Sequence, residues 1–560
     1  MNRSRSGPNR KLDYGLALIL GVLVSGAILA IVAPLTHAYR DSDGASYVEA
    51  ARNMLAGKGL LTTARVFKWP VESATLSLWP PGFPLMVALG AKLTGLDPFW
   101  AAAGIAWLSW ALLPAALLFT LRPILQSRSI YIISALVMLA PGAIDNAWQP
   151  MTDEPFLLIT VISFGLLFRG SGETVRPSWL LLSGVAVGGA YAVRNVGVAT
   201  IAAFIGAYVG LALLRVVTIK AATERLLWWA LGAGCVIVPL LAWNLWEFGA
   251  LQPYKMPPSH LGLLVNVRYF FAALSANEIA LHGLVQAIVW SKVTFLAPIA
   301  VVAAAAVVFR KRLISIPKRL SRRDVEILAV LGAYVIMGAI VLILARTRYQ
   351  WGEFIGTRHI LQYDWILMAF CALIVERWGQ PSRATVTACV VAFVTLAGFR
   401  LYYAAQEVRF DLASEAIRAD LRTGVATTTP ADFGPFNWLE ASQGAQYNQA
   451  VMLALHADPA MLRSIGDLPK GTVLFSNYSD ALRVLTGRIV HPITLTKGCV
   501  PSPISAPFAG AQAAPQTQIL LFPELPTVRS GCWRRLATSP YNQEKWPVRR
   551  SFLIDHAEPG

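Results

Sequence analysis

The sequence predicts an all-α polytopic membrane domain of about eleven transmembrane helices, followed by a small extracytoplasmic α/β domain. Three observations predict it. Of 560 residues, 56% are hydrophobic and only 14% charged, against roughly a quarter in an average soluble protein. The apolar residues fall in continuous runs of about 20, the length a helix needs to cross a bilayer, and not in the alternating stretches of about 10 that build barrels. Residues 404–560 contain no such run and are richer in Ser, Thr, Pro, Gly and Gln.

The predicted spans are 15–35, 100–121, 129–147, 155–169, 178–193, 196–214, 227–247, 285–309, 326–345, 360–376 and 384–403. The first follows the tail MNRSRSGPNRK and is too long for a signal-peptide core, so a retained anchor is expected, with cleavage after Ala38 the minor alternative. Little separates 178–193 from 196–214. In the last region, Gly471–Asn477 and Gln518–Pro523 read as buried strands and Tyr478–Gly487 as a helix between them, with Pro501–Gln516 as a linker. This gives a tail (1–14), a transmembrane domain (15–403) with a long loop at 36–99, and an extracytoplasmic domain (404–560).

The net charge of +17 is distributed as membrane topology requires, so nucleic acid is not the expected partner. One alternation of spans puts almost every basic cluster on one face: Arg3, Arg5, Arg10 and Lys11; Arg122 and Arg128; Arg169 and Arg176; Arg215, Lys220 and Arg225; Arg310 to Arg323; Arg377 and Arg383. Positive loops stay cytoplasmic, so the N-terminus is expected inside and the C-terminal domain outside, in a plasma (inner) membrane. The opposite face carries the loops 36–99, 149–154, 248–284 and 346–359. Trp69, Trp79, Trp100, Trp148, Trp246 and Trp351 near span ends fit an interfacial belt.

Two acid-bearing helix starts share that outer face. A helix over Gly44–Leu55 would place Asp43 at its cap, and Asp153 and Glu154 precede Pro155 at the start of a span; capping alone explains either one. Their recurrence on one face points further. Arg194 interrupts an apolar stretch, where an unpaired charge costs at least about 2.5 kcal/mol. Arg346, Arg348 and Arg358 add positive charge against the topological trend, with Glu353 or an anionic ligand as partner. Carboxylates that activate a hydroxyl and arginines that grip a phosphate would suit transfer chemistry at the membrane boundary.

The motifs DSDGASYVEAARNMLAGKGL (from Asp41) and WPPGFPLMVAL (from Trp79) resemble the first outer loop of the GT-C polytopic glycosyltransferases. Within that family they are similar to the dolichyl-phosphate-mannose protein mannosyltransferase and aminoarabinose-transferase-like group and its bacterial Rgt-like branch. TDEPF (from Thr152) is similar to the family's second-loop acid motif, AVRNVGV (from Ala192) to its Arg-Gly turn, and GTRHILQYDWILM (from Gly356) to its late Arg-Tyr segment. LPKGTVLFSNYSDALRVLTGR (from Leu468) resembles the start of its outer domain. His359 stands where the late motif usually has Tyr, and Asp364 or Trp365 near its usual Pro.

The resemblance implies an inverting transfer of a sugar from a polyprenyl-phosphate carrier to an envelope lipid, polysaccharide or protein. It implies Asp43 as catalytic base, Asp153 or Glu154 as second acid, Arg194 and Arg358 at the donor phosphate, and Asp41 and Tyr47 in the substrate loop; Arg348, from its charge on the same face, is expected to bind the donor phosphate as well. No cofactor and no metal site is read from the sequence, although some relatives use a divalent cation. Cys235, Cys371 and Cys389 lie in apolar runs as expected packing residues. Cys499 and Cys532 are a disulfide candidate in an oxidising compartment. The alternative reading is a transporter or flippase of lipid-linked saccharides, which expects ionisable groups deep in spans and internal repeats. A non-catalytic assembly or sensor protein is the third.

Overall fold

The computed structural model describes residues 10–32, 42–63, 74–146, 149–172, 174–253, 258–279, 320–349, 355–377, 391, 394–401, 459–469, 472–476, 479–495, 501–503 and 517–520. The expected span at 285–309, most of 384–403, Asp41, Glu353, Cys389, Cys499 and Cys532 lie outside them.

The chain starts with α1 (Arg10–Val32), then α2 (Ser42–Leu55), a two-residue hairpin pair β1 (Leu61–Thr62) and β2 (Ala74–Thr75), and α3 (Gly82–Thr94). The bundle follows as α4 (Pro98–Leu121), α5 (Ser127–Met138), α6 (Pro141–Asn146), α7 (Asp153–Gly170), α8 (Pro177–Val193), α9 (Val198–Leu213) and α10 (Ile219–Phe248). It is completed by α11 (Leu263–Ile279), α12 (Arg322–Arg348) and α13 (Thr357–Arg377). Among the described residues, five helices are long and apolar enough to cross a bilayer, and the protein is a multi-pass membrane protein.

Three expectations need correction. The expected span 129–147 is two helices: Pro141 has no amide hydrogen to continue α5, and a new helix starts there. The segment 248–284, expected as a loop, contains α11. Its Phe270 and Ala273 are buried among α12 and α13, and Asn266 donates to the Thr347 hydroxyl at 3.2 Å. Cys235 and Cys371 are exposed on the bundle surface, not packed inside it.

Phe164 on α7 is the hub of the core. Its ring meets Phe204 of α9 at 4.9 Å, Tyr334 of α12 at 5.2 Å and Trp365 of α13 at 5.8 Å, all edge-on. Such edge-to-face contacts add about 0.5–1.5 kcal/mol each beyond burial. Helices α8 and α10 pack by a different device. Gly184 and Gly188 form a small-xxx-small stripe, and Gly232 faces it. A Cβ on Gly184 would overlap the Trp229 carbonyl oxygen, and one on Gly232 the Leu181 carbonyl oxygen. Van der Waals packing of near-touching backbones is what drives helices together in lipid.

Ionic bonds tie the end of the bundle opposite α2. Arg122 pairs with Asp13 at 2.9 Å, and Arg225 with Glu326 at 2.8 Å, with the Tyr208 hydroxyl donating to the same carboxylate. Asp364 and Arg400 form a bidentate pair at 3.1 Å with both side chains fully buried, and Arg400 also donates to the Leu136 carbonyl. Charge therefore does lie deep in this bundle, but it is neutralised in place.

At the other end, α2 and α3 lie against α4 and α8. The described C-terminal residues form a mixed four-stranded sheet, β5 (Pro501–Pro503), β4 (Val490–Leu495), β3 (Val473–Ser476), β6 (Thr517–Leu520), in that order. Helices Pro459–Gly466 and Ser479–Thr486 accompany it.

Replacing Gly184 by Leu is expected to force α8 off α10 and to destabilise the protein by about 1–3 kcal/mol or more, the usual cost of overpacking. Thermal unfolding in detergent checks this; an unchanged Tm would mean that the two backbones do not touch.

Candidate active site

The site is assembled at the end of the bundle that bears α2. Helix α2 begins at Ser42, so Asp43 lies in its first turn and not at its cap. The side of α2 that carries Asp43 and Tyr47 is buried, with Asp43 at 8% exposure and Tyr47 at 2%. The Tyr47 ring is held edge-on by Phe83 at 5.2 Å and tilted against Trp79 at 6.2 Å, so Trp79 packs on this side chain as well as standing near a span end. Both aromatic partners come from the WPPGFP turn.

The second element is α7. Asp153 and Glu154 occupy its first turn, where negative charge is favoured, and they are 3% and 2% exposed. The third is the break between α8 and α9. Arg194 is extended (φ −151°, ψ 129°), which ends α8, and a single 3-10 turn over Asn195–Gly197 starts α9. The guanidinium of Arg194 donates to Asp153 Oδ1. Asp153 Oδ2 is buried and accepts no hydrogen bond among the described residues. The fourth is the first turn of α13, where Arg358 lies 3.7 Å from Asp43.

These groups converge on Tyr47. Its phenol lies in the field of Asp43, Arg194 and Asp153, with the Thr152 side chain beside it. Burial pushes the phenol well above its ordinary range and Asp43 adds to this, while Arg194 and Thr152 act the other way. Tyr47 is thus neutral at any physiological pH.

Two glycines set the spacing. A Cβ on Gly82 at the start of α3 would overlap the Ala192 carbonyl oxygen, two residues before Arg194. One on Gly142 in α6 would lie 2.8 Å from the Thr357 carbonyl oxygen and 3.2 Å from the Arg358 nitrogen. Each arginine therefore leaves a backbone that another helix touches directly.

The structure brings together Asp43, Tyr47, Asp153, Arg194 and Arg358, with Glu154 beside Asp153. Arg348 is apart from them: it is exposed at the end of α12, 5.4 Å over the Tyr349 ring. The buried arginine of that helix is Arg346, whose guanidinium lies 2.5 Å from His359 Nε2. Sequence reasoning singled out neither Arg346 over Arg348 nor His359 as its partner. The helical spacing of two residues, which puts these arginines on different faces of α12, was the available signal. Among the described residues no group of three His, Cys, Asp or Glu could hold a metal ion.

Removing Arg194 leaves the buried Asp153 carboxylate uncompensated. Arg194→Ala is expected to destabilise the protein by about 3 kcal/mol or more, and the double variant with Asp153→Ala by clearly less than the sum of the single changes. A double-mutant cycle on thermal or denaturant unfolding checks this; strict additivity would dissolve the pair. For Tyr47 the sign follows from its raised pKa. The unfolded phenol ionises near pH 10 and the native one does not, so native stability falls as pH rises past about 10. Tyr47→Phe should flatten that alkaline fall, measured as Tm against pH.

No protein-family model matches the sequence, and no curated protein does. Solved structures do resemble the fold. ArnT from Cupriavidus metallidurans bound to undecaprenyl phosphate superposes with a TM-score of 0.52 at 15% identity, over 91% of this chain and 90% of that one. The same enzyme in the apo state gives 0.52 at 13% identity, over 86% and 84%. At such identity the likeness is one of fold. The chain has the fold of the GT-C glycosyltransferases.

Proposed function

We propose that the protein is an inverting membrane glycosyltransferase that moves a sugar from a polyprenyl-phosphate-linked donor to an envelope lipid, polysaccharide or protein. The observation that carries this reading is the meeting of Asp43 with Arg358, and of Asp153 with Arg194, around one buried tyrosine. The fold shared with an ArnT that holds undecaprenyl phosphate supports the donor class.

The chemistry follows from the residues. Asp43 takes the proton of the acceptor hydroxyl as its oxygen attacks the anomeric carbon. The bond from that carbon to the phosphate oxygen breaks on the opposite side, and the electron pair leaves with the polyprenyl phosphate. The phosphate gains a negative charge as it departs, so guanidinium groups stabilise the transition state more than the ground state. We assign that role to Arg194 and Arg358, since planar guanidinium matches phosphate in two-point contact. Without donor, each arginine is neutralised by a carboxylate. A donor phosphate that draws Arg358 away from Asp43 would leave the carboxylate more basic when the acceptor arrives. Asp153 fixes Arg194, with Glu154 the alternative second acid. Arg348, exposed nearby in sequence, adds positive potential for an anionic headgroup.

Orientation is read from charge. Arg122, Arg169, Arg225 and Arg323 gather at the end opposite α2, which the positive-inside rule assigns to the cytoplasm. The N-terminus would then be cytoplasmic in an inner membrane, and the site, with residues 404–560, extracytoplasmic.

Asp43→Asn is expected to lower transfer by roughly 10²–10⁴-fold, the usual contribution of a general base, while expression and membrane insertion stay normal. Release of polyprenyl phosphate from a panel of undecaprenyl-phosphate donors carrying different labelled sugars measures it. Wild-type turnover by the purified variant would end the assignment.

A further inference from the structure

The helix that carries Asp43 is gripped from its other side by the C-terminal region, through apolar packing and through a polar link centred on one residue. Thr63, which follows β1, is 3% exposed, and charged side chains bind its amide, hydroxyl and carbonyl. Glu49 of α2 accepts from the Thr63 amide at 2.9 Å and from its hydroxyl at 2.6 Å, and also from the Thr62 hydroxyl at 3.0 Å. The Thr63 carbonyl accepts from Arg483 Nη1 at 3.2 Å. Arg483, 5% exposed on helix Ser479–Thr486, also donates through Nε to the Val490 carbonyl at 2.6 Å. One guanidinium therefore spans from the C-terminal sheet to the loop that anchors α2. The apolar side agrees: Ala45, Val48 and Ala51 of α2 share a single core with Ile465, Leu474, Leu482 and Val490.

Asp43 and Glu49 are six residues apart on α2, about 9 Å along its axis and on different faces. Glu49 thus fixes the far face of the helix while Asp43 meets Arg358. Hydrogen bonds with an ionised partner are about twice as strong as neutral ones, so Glu49 and Arg483 hold Thr63 more firmly than a bare hairpin of two residues a strand would. We propose that Arg483 is a positioning residue: through Thr63 and Glu49 it locks α2 in the register that sets Asp43 against the acceptor, which makes the C-terminal region part of the catalytic geometry. This rests on the transferase reading for its kinetic consequence, but the lock itself does not.

Full-length protein in nanodiscs, as wild type, Arg483→Ala, Arg483→Lys and Glu49→Gln, tests both parts. Hydrogen exchange reads the lock without any activity. Arg483→Ala should speed exchange in residues 43–63 while the bundle helices α7, α8 and α12 keep their wild-type protection. On whichever donor of the panel the wild type turns over, kcat should fall on the order of 10- to 100-fold, since small misplacements of a reacting group cost that much. KM for the donor, and affinity for undecaprenyl phosphate, should stay within about twofold, the pattern of a lost transition-state interaction. Arg483→Lys, which reaches one carbonyl but not both, should fall between. Unchanged exchange in α2 together with unchanged kcat would overturn the proposal, and so would exchange rising equally throughout the bundle, which marks a folding role. If Arg483→Ala does not yield folded protein, Glu49→Gln asks the same question from α2 and should show the same localised pattern. A wild type that turns over no donor would fail the transferase reading while the exchange result still decides the lock.

Discussion

Charge placed at the dry end of an apolar helix bundle has to be paired, and the arrangement of this molecule follows from how each pair is made. Arg225 with Glu326 and Arg400 with Asp364 meet at hydrogen-bond distance, and each guanidinium also donates to one backbone carbonyl. The pairs around Tyr47 are different. Arg358 and Asp43 stand 3.7 Å apart, longer than a hydrogen bond, and among the described residues nothing donates to the buried Oδ2 of Asp153. The closer pairs tie helix to helix within the bundle, and the longer contact joins α2 to the start of α13.

Position in this site is a backbone property. Gly82 brings α3 onto the end of α8, and Gly142 brings α6 onto the start of α13. The aromatic hub at Phe164 keeps α7, α9, α12 and α13 in fixed relation below, and the α8–α10 glycine contact fixes the helix that ends at Arg194. Helix α2 is held on one side by Phe83, Trp79 and an Arg52–Asp97 ion pair at the start of α4. Its second face rests on Thr63 and the C-terminal strands.

Much of this was legible in the sequence because hydrophobic runs and helix-start residues are local signals. Most of the long helices fell where the apolar runs predicted, and Asp43, Tyr47, Asp153, Arg194 and Arg358 were named from motifs. What was missed depends on contacts distant in sequence. Helix α11 contains Asn266, Arg268, Asn277 and Glu278, too polar to read as a buried element until α12 and α13 are seen to cover it. The pairing of Asp364 with Arg400 spans 36 residues, and that of Arg483 with Thr63 spans 420. The choice between Arg346 and Arg348 needs the helix face, which a charge count ignores.

The two glycines beside the arginines also bear on how such a protein would answer random mutagenesis. Gly82 and Gly142 contribute no side chain, yet a Cβ there would push on the Ala192–Val193 peptide just before Arg194 and on the Thr357–Arg358 peptide. In a survey scored by survival they would be indistinguishable from chemical participants.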